Sequence, residues 1–300
     1  MSADRARHGE VDSILGSWPR MPTSSPTPSR RASRDALGKV ASVTATDLHG
    51  VRVLVTGSTD GLGLAMAQAL LAAGASVAVN GRRADRVEAA AERLGGPAAG
   101  VQPAVFDVRD ENAVDAGVQA AAAALGGLDV LVNNAGIGMR TVNPRFTTDP
   151  QPFWEVSPEG FRAVIDTNLT GYFLVARAAV GTLRSSPSGR IVNVSMNHAT
   201  MRRQGFVPYG PSRAGAEALS LIMTADLADL GIAVNQLLPG GATATGMIPD
   251  GVSDAARARL LQPEIMGPPV VWLCSAAATG VSGERIVAAE FDDWLSARRH

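Results

Sequence analysis

The chain has 300 residues, with 27 Lys and Arg against 28 Asp and Glu, and 46% of its residues are apolar. This near-balanced charge offers no basic footprint for nucleic acid, no apolar run reaches the length of a membrane span, and the apolar content suffices for one sizeable core. The single cysteine, Cys274, has no disulfide partner and lies in the apolar stretch 270–278, so buried packing and a reducing compartment are expected.

Residues 1–46 come first and read as a disordered tail, because Ser24-Ser-Pro-Thr-Pro-Ser-Arg-Arg31 has too little apolar content to bury a core. Asp4, Glu10, Asp12 and Asp35 argue against a transit peptide, and no stretch resembles a signal sequence; a cytoplasmic location is expected. Residues 47–300 are expected to form one domain.

That domain opens with the apolar run Val51–Val55, then Thr56-Gly-Ser-Thr-Asp-Gly-Leu-Gly63, then a helical pattern from Leu62 to Ala73 that ends at Gly74. Strand, glycine turn and helix in this order suit a pyrophosphate at a helix N-terminus, with Gly57, Thr59, Asp60, Gly61, Leu62 and Gly63 as candidate contacts. A second strand, Ser76–Asn80, follows at the distance of a βαβ unit. Further strands are expected at Val101–Phe106, Leu128–Val132, Arg190–Ser195, Ile232–Leu238 and Arg285–Ala289, with alanine-rich helices between them. Continuous apolar runs belong to a parallel sheet covered on both faces, so the fold class is α/β, a Rossmann-like doubly wound parallel sheet.

The second strand ends Asn80-Gly-Arg-Arg83 without a carboxylate. An acidic residue there would bind the adenosine ribose hydroxyls, whereas arginine accommodates an extra phosphate, so Arg82 and Arg83 favour NADP(H) over NAD(H). Cations at a helix start also want an anionic partner.

The motifs in this order resemble the short-chain dehydrogenase/reductase superfamily from about Val51 to the C-terminus: Thr56–Gly63, Asp107-Val108, Asn133–Gly136, Asn168 within DTNLTG, Tyr209–Arg213 in place of YxxxK, and Pro239-Gly240. The resemblance implies adenine contacts from Asp107 and Val108, and ribose contacts and sheet support from Asn134, Ala135 and Gly136. Pro239, Gly240 and Thr243 fall near the nicotinamide, although neither Thr243 nor Thr245 stands at the usual offset after Pro-Gly. Tyr209 is implied as the general acid/base, with position 213 as the cation beside it and on the nicotinamide ribose, and Asn168 as part of a proton relay. A homodimer or homotetramer is implied as well.

Two positions depart from the pattern. Free tyrosine titrates near pH 10, so general-base work at neutral pH needs a nearby cation; Arg213 supplies one, as a broad planar fork rather than a compact ammonium. Lys39 is the only lysine in the chain, so a general drift from lysine to arginine is the bland account of the change, and it is compatible with retained function. The pattern's serine, thirteen residues before the tyrosine, falls on Met196, which cannot donate a hydrogen bond. Ser195 and then Asn197 are the candidate replacements, while His198 reads as an exposed loop residue without a carboxylate partner.

The loops after Val132, Ser195 and Leu238 mark the substrate end, and they carry Met139, Arg140, Phe146, Phe153, Trp154, Met201, Phe206, Met247 and Ile248. The reading is an NADP(H)-dependent oxidoreductase acting on a small or medium carbonyl or alcohol, with no metal. The alternative is a catalytically degraded cofactor-binding homologue acting as scaffold or nicotinamide sensor.

Overall fold

The computed structural model describes residues 46–147, 149–248 and 258–298. The tail expected over residues 1–46 lies outside them apart from Thr46. The apolar runs form β1 (Arg52–Val55), β2 (Ser76–Gly81), β3 (Val101–Val105), β4 (Val130–Asn133), β5 (Arg190–Val194), β6 (Ala233–Leu238) and β7 (Arg285–Val287). They pair in parallel in the order β3-β2-β1-β4-β5-β6-β7. β7 stops two residues short of the expected end because Ala288–Glu290 curls into a 3-10 turn.

Parallel neighbours need crossovers, and helices supply them: α1 (Gly61–Ala72), α2 (Ala84–Arg93), α3 (Glu111–Leu125), α4 (Pro158–Ile165), α5 (Gly171–Arg184), α6 (His198–Met201) and α7 (Tyr209–Asp226). Successive strand residues face opposite sides. Val53 and Val55 therefore join Met66, Leu70, Trp272 and Phe291 on one face, while Leu54 joins Leu131, Val175 and Ile191 on the other. Each such fully buried side chain contributes about 1.5–3 kcal/mol relative to exposure. Cys274 is buried, which pushes its thiol up to about 12. Phe291 and Trp294 pack on Trp272 of the helix Gly267–Cys274, so the C-terminal aromatic residues cover their own domain.

The sheet order reverses between β1 and β4, and a crevice opens beyond the carboxyl ends of strands at such a switch point. The glycine turn and the Asn133–Gly136 segment meet there. Among the described residues, no helix is long and apolar enough to cross a membrane.

Candidate active site

The glycine turn is held from three sides. Asn134 Nδ2 donates to the carbonyls of Thr56 (2.9 Å) and Gly57 (3.0 Å), and the Thr56 hydroxyl accepts from the backbone N–H groups of Asn134 and Ala135. Asn80, which the sequence reading passed over, accepts from Gly57 N–H and donates to the carbonyls of Ala104 and Phe106, tying the turn to β2 and β3. A Cβ on Gly63 would lie 2.4 Å from the Gly57 oxygen, so only glycine lets the α1 terminus pack this close. Gly57 and Gly61 adopt φ of 61° and 53°, leaving a cradle without side chains that fits a dinucleotide pyrophosphate.

The other nucleotide candidates differ in their engagement. Thr59 packs over Gly81, Leu62 packs against the core, Val108 is buried, and Arg83 is paired with Asp85. Arg82 is exposed, and no hydrogen bond or ion pair of it appears among the described residues; its field reaches Asp107. Asp107 is gripped by Arg109, which holds the carboxyl below its ordinary value. Asp60 caps α1 through the Gly61 N–H.

At the catalytic end, Tyr209 is the first residue of α7 and is half-buried. Arg213, one turn on, is 3% exposed, with its guanidinium carbon 5.5 Å from the Tyr209 ring centre. Its Nη1 donates to the Tyr172 hydroxyl (2.6 Å) and to the Val194 carbonyl (2.9 Å). Tyr172, on α5, is also absent from the sequence-derived candidates; its hydroxyl donates to the same Val194 carbonyl at 3.1 Å. Burial opposes the charge on Arg213, but Tyr172 and Tyr209 outweigh it and raise the guanidinium pKa. Burial raises the Tyr172 phenol, against a smaller opposing pull from Arg213.

Asn168 lies in a π-helical turn, Asp166–Thr170, that joins α4 to α5. Its amide bonds both backbone groups of Ile137 and donates to the Ser212 hydroxyl at 3.1 Å, pinning the β4 loop to α7. Such π turns recur at functional sites.

Ser195 does not present a free donor: its hydroxyl donates to Glu217 Oε1 at 2.5 Å. Glu217 also meets His198 Nε2 (2.7 Å) and Arg285 Nε (2.9 Å), so the expectation of a histidine without a carboxylate partner is corrected. Burial works against ionisation of Glu217, yet Ser195, His198 and Arg285 together lower its pKa. Asn197 donates one of its two amide hydrogens to the Gly240 carbonyl at 2.7 Å. Gly240, at φ 98°, turns the chain after Pro239 where a Cβ would meet Ala289 and Val287. Thr243 is buried and bonds the Gly241 carbonyl, while Thr245 touches the Gly61 turn.

The three substrate loops converge. Phe146 stands edge-on to Phe206 at 5.6 Å, joining the β4 and β5 loops, and Arg140 Nη1 donates to the Gly246 and Ile248 carbonyls, joining the β4 and β6 loops. A separate cleft of 570 Å³, lined by His198, Met201, Arg203, Phe206, Pro211 and Ala214 among others, opens on a different face of α7 from Tyr209 and Arg213.

This sheet, its glycine turn and the tyrosine on α7 define a nicotinamide-dependent oxidoreductase. A family model described as short chain dehydrogenase matches residues 51–255, and the chain belongs to that family. Gluconate 5-dehydrogenase of Gluconobacter oxydans is 33% identical over 193 residues, 64% of this chain and 72% of that protein. The 3beta-hydroxysteroid dehydrogenase 1 of Eggerthella lenta is 36% identical over 252 residues, 79% of this chain and 91% of that one. The crystal structure of a 3-ketoacyl-(acyl-carrier-protein) reductase from Brucella melitensis complexed with NADH superposes with a TM-score of 0.71 at 27% identity, covering 80% of this chain and 97% of that chain.

Proposed function

We propose that the chain is an NADP(H)-preferring carbonyl reductase or alcohol dehydrogenase in which Tyr209 exchanges the substrate proton. The carrying observation is the half-buried Tyr209 phenol beside the buried, permanently charged Arg213. A bound nicotinamide supplies or accepts the hydride. The glycine cradle, Asn134, Ala135 and Gly136 hold and orient it; Tyr209 gives its proton to the carbonyl oxygen in reduction and takes it back in oxidation.

Arg82 supports the NADP(H) preference: it stands exposed after a strand that ends without a carboxylate, and the nearby Asp107 is already occupied by Arg109. The converging Met139, Phe146, Phe206 and Met247 suit a medium-sized, partly apolar substrate. Exposed Phe161, Phe173, Leu221 and Ile222 on α4, α5 and α7 support a homodimer or homotetramer.

The commitment of the Ser195 hydroxyl to Glu217, beside Met196, favours a second reading, a cofactor-binding homologue that acts as scaffold or nicotinamide sensor. Fluorescence titration with NADPH and NADH, then a panel of aldehydes, ketones and keto acids, separates the two. Tighter NADPH binding with turnover that Tyr209→Phe abolishes supports the enzyme; binding with no turnover of any compound supports the sensor.

A further inference from the structure

We propose that Tyr172 is a positioning residue for Arg213, so that Tyr172 and Arg213 act as one unit that places a cation under Tyr209. The proposal rests on the role of Tyr209 given above and adds the element that makes arginine serviceable at position 213. Four observations carry it.

Both hydrogens of Arg213 Nη1 are spent on Tyr172 and Val194. The Tyr172 hydroxyl completes a triangle with that carbonyl, which orients its lone pair toward the guanidinium. The two phenol rings lie on Arg213 at 5.4 and 5.5 Å, and they belong to the only two tyrosines in the chain. Arg213 Nε is buried without a hydrogen-bond partner, while a Cβ on Gly136 would lie 2.4 Å from Nη2, so the fork is fixed by its Nη1 end and by close packing.

Lysine does not fill this arrangement. Its ammonium falls where the guanidinium carbon stands, one C–N bond of about 1.3 Å short of Nη1, and because an N–H leaves that bond at about 120° the 2.6 Å contact with Tyr172 opens to about 3.5 Å, past useful hydrogen-bond length. Among the described residues, the titratable groups acting on Arg213 are Tyr172 from α5 and Tyr209 from α7; β5 offers the neutral Val194 carbonyl.

Tyr172→Phe leaves Tyr209 as the sole tyrosine, so ultraviolet absorbance of the phenolate reports on it directly, without cofactor or substrate. We expect the phenolate transition of Tyr172→Phe to lie about one pH unit above the first transition of the wild type. The basic limb of the kcat profile should move the same way, and kcat should fall about tenfold with cofactor affinity unchanged. In an Arg213→Lys background, Tyr172→Phe should move neither further.

An unmoved transition in Tyr172→Phe, or a full additional shift on top of Arg213→Lys, overturns the pairing. Should Tyr172→Phe not fold, incorporation of 3-fluorotyrosine into otherwise wild-type and Arg213→Lys protein gives the same answer. The Tyr172 fluorine resonance, assigned with Tyr209→Phe, must shift with Arg213→Lys, and a fixed resonance refutes the contact. Retained turnover in Tyr209→Phe would instead sink the proton role of Tyr209 and leave the titration as a clean test of the pair.

Discussion

Gly136→Ala is the sharpest test of how tightly the site is built. The glycine needs no special backbone angle; it needs space, since an added Cβ would lie 2.4 Å from Arg213 Nη2 and 3.2 Å from Asn168 Oδ1. An ordinary contact is about 3.5 Å, so the guanidinium must retreat by about 1 Å. That retreat stretches the Nη1 bonds to Tyr172 and Val194, now 2.6 and 2.9 Å, beyond useful length. Overpacking of this kind costs about 1–3 kcal/mol, and weakening bonds to a buried charge adds to it, giving about 2–4 kcal/mol in all. In a domain of this size that is a fall of roughly 5–15 °C in Tm. Differential scanning fluorimetry and initial rates at saturating cofactor read both consequences. Gly181→Ala is the control: it is exposed in the last turn of α5 with nothing within 4 Å of its Cβ, and should stabilise by up to about 0.5–1 kcal/mol. Wild-type Tm and turnover in Gly136→Ala would refute the steric account of this glycine.

Three further outcomes are expected. Asp129, 5% exposed, is held by Arg52 at 2.8 Å through both carboxylate oxygens and by the Ser186 hydroxyl. Burial opposes its ionisation but these partners win and lower its pKa, so its stabilisation is present above the ordinary carboxylate range and is lost as pH falls through the lowered value. Asp129→Asn should cost about 2–3 kcal/mol at neutral pH and flatten the acid limb of a stability profile; an unchanged limb would place that dependence elsewhere. Met196→Ser should raise kcat by about tenfold or more if a donor to the substrate oxygen is missing, whereas no gain would point to a donor already in place. Arg82→Ala should weaken NADPH binding by about tenfold and leave NADH binding within twofold; equal losses would remove the basis for an NADP(H) preference.

The strands were legible because most centre on short apolar runs, even where Gln102 and Pro103 interrupt β3 and Asn235 and Gln236 interrupt β6, and the glycine turn because its spacing serves one local geometry. Residues that act across the fold were not. Tyr172 reads in sequence as one more core aromatic on a helix, and only the packing of α5 against α7 turns its hydroxyl toward Arg213. Glu217 reads as a solvated helix carboxylate, yet it draws Ser195, His198 and Arg285 to one point. A signal was present for both: Tyr209, Arg213 and Glu217 recur at four-residue spacing along α7, and a chain with only two tyrosines places Tyr172 one helical turn after Asn168.

The two departures from the family pattern have different physical standing. A buried charge without compensation is expensive, so an arginine that merely drifted into position 213 would be expected to swing to solvent. Arg213 instead stays buried, with a phenol hydroxyl and a backbone carbonyl on Nη1, two aromatic rings beside it and Gly136 leaving room for Nη2, while Nε has no partner among the described residues. That accommodation spans α5, α7, β5 and the β4 loop, and it supports a cation retained for work on Tyr209. Position 196 shows no comparable arrangement: the Ser195 hydroxyl is spent on Glu217, and Asn197 gives one of its two amide hydrogens to the Gly240 carbonyl. A charge beside Tyr209 is therefore built into the fold, as the proposed proton role requires, while position 196 is where this site departs most from the family pattern.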